Sequence, residues 1–119
     1  MIAVDYDRRT GIVTSTAGGV LTVDDIQQAA LEIRRLMRQA QQDFGRGLYL
    51  VDARATVVQT REVMEEVERQ GSYLTRADDR MAIVVPSALA VLQSRRAFNA
   101  ANEGVFQSMD EAVAWLGER

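Results

Sequence analysis

The chain has 119 residues, and all 14 of its basic side chains are Arg, because Lys, His and Cys are absent. That composition excludes disulfides, thiolate or imidazole chemistry, lysine Schiff bases and a P-loop lysine. A net charge of −3, with 47% apolar and 26% charged residues, is ordinary for a globular chain and argues against nucleic acid as a partner.

Ile2–Asp7 alternates, with Ile2, Val4 and Tyr6 on one face and Ala3, Asp5 and Asp7 on the other, which predicts a half-exposed strand. Arg8 to Gly11 reads as a turn, and Ile12–Ala17 alternates again, so the two segments form an antiparallel hairpin. Gly18-Gly19 reads as a bend or bulge. Thr22, three residues before Asp25, opens a helix with a capping-box pattern in which Asp replaces Glu. Val23, Ile26, Ala30, Ile33, Met37 and Ala40 then form one continuous apolar stripe, and Gly45 and Gly47 end the unit.

Leu48–Val51 and Met81–Val85 are short apolar runs of the kind buried on both faces of a parallel sheet. Between them, Thr60–Leu74 carries Val63, Val67 and Leu74 at helical spacing. Ser87 starts a third helix after Pro86, with Leu89, Leu92 and Phe98 as anchors. Val105–Gln107 is a last strand, and Ser108 with Glu111 makes a capping-box pair for a helix whose core side is Met109, Ala112, Val113 and Leu116. Phe106 and Trp115 read as core anchors for that helix.

The order β-β-α-β-α-β-α-β-α predicts an α/β fold with a mostly parallel sheet, right-handed crossovers and an antiparallel first strand near an edge. Residues 1–119 read as a single domain without linker or repeat. No segment has the form of a signal peptide, and no apolar run approaches the roughly 18 residues of a transmembrane segment. The lack of Cys fits a cytoplasmic setting.

Leu50-Val51-Asp52-Ala53-Arg54, Met81–Pro86 and the closing Phe106-x-x-x-x-Glu111-Ala112-x-x-Trp115-Leu116 together resemble the SpoIIAA-like superfamily, which contains STAS domains and the related CRAL-TRIO lipid-binding fold. The similarity runs along the whole chain and is greatest to small stand-alone bacterial proteins of that superfamily. It implies a β/α superhelical domain that binds a protein partner or ligand and is not an enzyme. In anti-anti-sigma members, a Ser or Thr after the third strand is phosphorylated to switch partners. The motif there is Asp-Ser, then Ser or Thr, then Gly. Here Asp52 matches the acid, no Ser follows it and no Gly closes the motif, so Thr56 and Thr60 stand as the candidate phospho-acceptors.

Ligands of open parallel sheets sit beyond the carboxyl ends of the strands. That rule makes Asp52, Arg54, Arg61 and Ser87 a candidate rim for a ligand or anion, served by helix N-termini and guanidinium groups. Read more plainly, Thr60 and Ser87 are helix caps and Asp52 caps its loop. Arg34, Arg35 and Arg38, and Arg95 with Arg96, read as exposed charged faces. The acidic pairs Asp24/Asp25, Glu65/Glu66, Asp78/Asp79 and Asp110/Glu111 diverge by about 100° on a helix. They read as helix-start charge and solvated groups. No metal site and no cofactor is expected. Two functions follow: a regulatory or protein-interaction module, with a homodimer through the open sheet face or edge that Asp5, Thr14 and Thr16 imply as one form of it, and a carrier of a small apolar or lipid-like ligand.

Overall fold

A computed structural model describes residues 1–71 and 73–118. The elements are β1 (Ile2–Asp7), β2 (Ile12–Gly19), α1 (Val23–Phe44), β3 (Leu48–Thr56), α2 (Arg61–Gln70), β4 (Arg80–Val84), α3 (Ala88–Ala97), β5 (Glu103–Phe106) and α4 (Met109–Gly117). They form one sheet in the order β1-β2-β3-β4-β5, antiparallel between β1 and β2 and parallel elsewhere. The α/β class, the element order and the antiparallel edge position of the first strand are as the sequence pattern predicts.

The alternation within each strand divides the sheet into two faces. Val13, Tyr49, Met81, Ile83, Val85 and Val105 meet the α1 stripe of Ala29, Ile33, Leu36, Met37 and Ala40, with Val91 and Phe98 of the α3 segment at the margin. Ile12, Leu48, Leu50, Ala82 and Val84 face the other way and meet Ala112 and Leu116 of α4. A third cluster, Leu21, Ile26 and Val63, attaches α2 to the start of α1. Three helices thus lie on one face and α4 alone on the other. The α4 layer covers β3, β4 and β5 and leaves the outer face of the β1–β2 hairpin open, with Asp5 and Thr16 exposed.

The Thr22 capping box is complete: Asp25 N–H donates to Thr22 Oγ1 and Thr22 N–H donates to the Asp25 carboxylate. At the hairpin turn, Gly11 N–H donates to Asp7 O at 2.7 Å with φ at 76°, and a Cβ there would lie 2.6 Å from the Phe44 ring. Only glycine fits that backbone conformation and that approach. The α4 carboxyl end has no basic residue of its own. Arg46 donates to Leu116 O and Glu118 O, and Arg80 donates to Trp115 O at 2.7 Å while lying over the Trp115 ring. Distant guanidinium groups thus satisfy the orphan carbonyls of that helix.

Several expectations need correction. Leu89 and Leu92 are not anchors; they are 63% and 61% exposed, and Ala90, Val91 and Phe98 take the inward positions. Val67 and Val113 also face outward, and Leu74 lies beyond α2, which ends at Gln70. Helical spacing identified the apolar residues of these short helices but not which side the sheet would take. Asp79 is fully buried, not solvated. Its carboxylate accepts from the backbone N–H groups of Gly47, Thr75 and Arg76 and from the Gln41 side chain. Glu66 is also buried, where Gln70, Gln27 and Arg69 donate to it. Those hydrogen bonds, Gln70's first, hold its carboxyl below the usual glutamate range.

Candidate functional site

Strands of unequal length build the rim. The row Ala3–Thr16–Asp52–Val84–Phe106 is the last that crosses all five strands. Beyond it β4 and β5 have ended, while β2 and β3 continue after a bulge between Thr16 and Gly18, pairing Gly18 with Ala55 and Gly19 with Thr56. Asp52 is therefore inside the strand and not at its end, because β3 runs five residues past the apolar run that marks it in the sequence.

Residues two apart share one face of a strand, so Arg54 lies beside Asp52. Its Nε and terminal nitrogen donate to the two Asp52 carboxylate oxygens, each at 2.9 Å, and its backbone N–H also donates to Oδ1. The Arg54 guanidinium holds the Asp52 carboxyl below the usual aspartate range. The fork is thereby occupied, so an incoming anion competes with an intramolecular carboxylate.

The β3–α2 loop then turns on Gln59. Its side-chain nitrogen donates to Gly19 O at 2.9 Å and Val57 O at 2.7 Å, and its oxygen accepts from Leu21 N–H at 2.7 Å. One amide thus ties the loop after β2 to the loop after β3. The two loops present Val20, Val57 and Val58, which are 66%, 53% and 95% exposed. Three valines on adjacent, hydrogen-bonded loops form an apolar edge. This element is absent from the expectations drawn above. Its sequence signal is a Val57-Val58 pair with neither strand nor helix periodicity around it.

Thr60 is exposed and caps α2, accepting from Val63 N–H at 3.3 Å. Thr56 is half-buried and donates to Ala53 O at 2.7 Å. Arg61 projects from the first turn of α2 and pairs with Glu65 one turn on, at 3.1 Å. Ser87 caps α3, accepting from Ala90 N–H at 3.1 Å. Thr60 and Arg61 share one loop with the valine edge. Ser87 is carried on the loop after β4, and among the described residues no hydrogen bond joins it to Asp52 or Arg54.

Among the described residues, two solvent-open concavities stand out. One, of about 370 Å³, is lined by Val91, Leu92, Arg95, Val105, Phe106 and Glu111. The other, of about 570 Å³, lies between β1 and α1 and is mostly polar, with Asp5, Arg8, Glu32, Arg35 and Asp43 among its walls. Neither is an enclosed cavity, so the carrier expectation gains no support. Among the described residues, no group of three or more acidic side chains converges at metal-binding spacing. None of the described helices is long and apolar enough to cross a membrane.

No family model and no curated protein sequence matches the chain. Solved structures do. The unphosphorylated form of the anti-sigma factor antagonist SpoIIAA superimposes with a TM-score of 0.67 at 14% identity, covering 98% of this chain and 97% of that one. An uncharacterised DUF3478 family protein with a SpoIIAA-like fold from Shewanella loihica PV-4 gives a TM-score of 0.67 at 21% identity, covering 98% and 92%. The fold is SpoIIAA-like, as the resemblance in the sequence implied.

Proposed function

We propose that the chain is a non-enzymatic, regulatory protein-interaction module that docks a partner on its valine edge. The observation that carries this reading is the exposure of Val20, Val57 and Val58 on two loops joined through Gln59. An apolar edge held in place before binding needs little ordering when a partner arrives. The likeness to an anti-sigma factor antagonist, a protein that acts on another protein, supports the same reading. Thr60 is the better regulatory handle of the two threonines, because it is exposed and Thr56 is half-buried with its hydroxyl engaged. A phosphate on Thr60 would sit at a helix N-terminus beside Arg61 and two residues along the chain from Val58, adding a dianion to an apolar docking edge.

The test is affinity capture from cell lysate with the wild-type chain, Val58→Asp and the surface control Gln93→Ala, followed by titration of the captured protein once purified. Val58→Asp is expected to weaken binding at least about tenfold with unchanged melting, while Gln93→Ala binds as wild type. Equal affinity for Val58→Asp and wild type rules out the valine edge as the docking site. Thr60→Glu is expected to weaken the same partner.

A further inference from the structure

Helix α3 has no buried residue, unlike every other helix of the fold. Its first five positions, Ala88-Leu89-Ala90-Val91-Leu92, are apolar on all sides. A helix apolar all round is ordinarily covered all round. Here Ala90 and Val91 meet the core and Leu89 and Leu92 face out. Beside them runs the apolar groove of about 370 Å³, over the outer edge of β5, with α3 on one side and α4 on the other. Arg95 stands on the α3 wall and Glu111 on the α4 wall.

The charges at this groove distinguish it from the other exposed patches. Arg95 and Arg96 end α3, and Asp110 and Glu111 begin α4. Among the described residues none of these four side chains takes part in an ion pair, although six other arginines do. Helix dipoles account for the sign at each helix end. They do not account for an unpaired cation, Arg95, and an unpaired anion, Glu111, set on opposite walls of one groove.

We propose that this groove is a self-association surface: a second copy of the chain packs its Leu89–Leu92 ridge against it, and Arg95 of each copy meets Glu111 of the other. A two-fold contact brings one patch against itself, so the patch must be complementary to itself. This one carries a ridge, a groove and equal numbers of opposite charges, and doubling it leaves no charge of either sign in excess. A strongly acidic or strongly basic partner would meet like charge on one wall. The patch is one short helix wide, which places the contact at the small, transient end of interface sizes. The surface lies at the β5 edge and does not include the valine edge, so the two readings stand or fall separately.

Sedimentation equilibrium of the wild-type chain tests the proposal. A monomer–dimer equilibrium with a dissociation constant of about 100 µM or tighter is expected, and a chain still monomeric at about 1 mM overturns it. Arg95→Glu and Glu111→Arg are each expected to weaken dimerisation at least about tenfold, and the double variant R95E/E111R to restore it to within about threefold of wild type. Two weakened single variants without recovery in the double would overturn the Arg95–Glu111 pairing. Leu92→Glu, at a position already exposed to solvent, should leave melting unchanged and abolish the dimer. A Leu92→Glu dimer as tight as wild type would place the interface elsewhere.

Discussion

The Asp79 carboxylate accepts the Gly47 N–H at 2.6 Å, joining the entry of β4 to the entry of β3 across 32 positions of sequence. The same side chain accepts from Thr75 and Arg76 N–H and from Gln41 of α1, so one buried anion organises a loop, a helix and two strand starts. Removing it strands several donors away from water, each costing about 1–3 kcal/mol. Asp79→Ala is expected to lower unfolding stability by about 3 kcal/mol or more, and Asp79→Asn by less, since the amide keeps one accepting oxygen. Urea denaturation of both variants measures this; a loss below about 1 kcal/mol for the alanine variant would show that the donors find other partners.

Asp79 also marks the limit of what the sequence discloses. Beside Asp78 it looks like half of a solvated acidic pair, and nothing local distinguishes the two. Its burial depends on where Gly47 and Gln41 arrive, more than 30 residues away. The long α1 stripe and the apolar β3 and β4 runs were legible because period and length agree over many residues. The outward turn of Leu89 and Leu92 was not, because α3 is short and its first five residues are all apolar, so composition alone assigns it no inner face. The candidate rim was half legible. Thr60 and Ser87 are the caps their spacing predicts, whereas the Arg54 fork on Asp52 depends on β3 continuing to Thr56, past the end of its apolar run.

Thr60 allows the cap and the switch to be separated. Thr60→Ala removes the acceptor for Val63 N–H and is expected to cost about 1 kcal/mol, while Thr60→Asp, itself a good cap, should be close to neutral. Thermal melting of the pair checks the cap. If Thr60→Asp melts with wild type but binds the captured partner more weakly, the charge and not the cap controls docking. Equal partner binding by both would remove Thr60 from any regulatory role.

The pH profile should be a broad plateau with two limbs. Asp52, Asp25 and Asp7 sit below their ordinary value of 3.8, held there chiefly by the Arg54 side chain and by the backbone N–H groups of Thr22 and Arg9 respectively. Glu32 and Glu66 sit below 4.5, through Arg35 and Gln70 first. A carboxyl lowered by folding stabilises above its unfolded value, and that contribution is lost as pH falls through the folded one. On the alkaline side Tyr6 is pushed up to about 12 by burial and its hydrogen bond to Asp43, and burial raises Tyr49 as well. Their contribution is complete below the ordinary value of 10 and is lost as pH rises through the folded values. With no His to titrate, melting temperature is expected to be flat between about pH 5 and pH 9 and to fall on both sides. A step near pH 6 to 7 would contradict this assignment.

Ser15 Oγ and Tyr49 Oη hydrogen bond at 2.7 Å inside the main core, between neighbouring strands and on the face that α1 covers. The two hydroxyls satisfy each other, and no other hydrogen bond is recorded for either among the described residues. Tyr49→Phe therefore leaves a buried Ser hydroxyl unpaired, and Ser15→Ala leaves a buried phenol unpaired. Each is expected to cost about 1–3 kcal/mol. The double variant removes both polar groups and should cost clearly less than the sum of the two single changes, a coupling of about 1 kcal/mol or more. A double-mutant cycle by urea denaturation gives that coupling directly. Strict additivity would mean that water reaches one of the hydroxyls once its partner is gone. The Tyr49 ring also packs edge-on against Tyr73 at 5.2 Å, and Phe keeps that contact, so the cycle isolates the hydrogen bond from the aromatic packing.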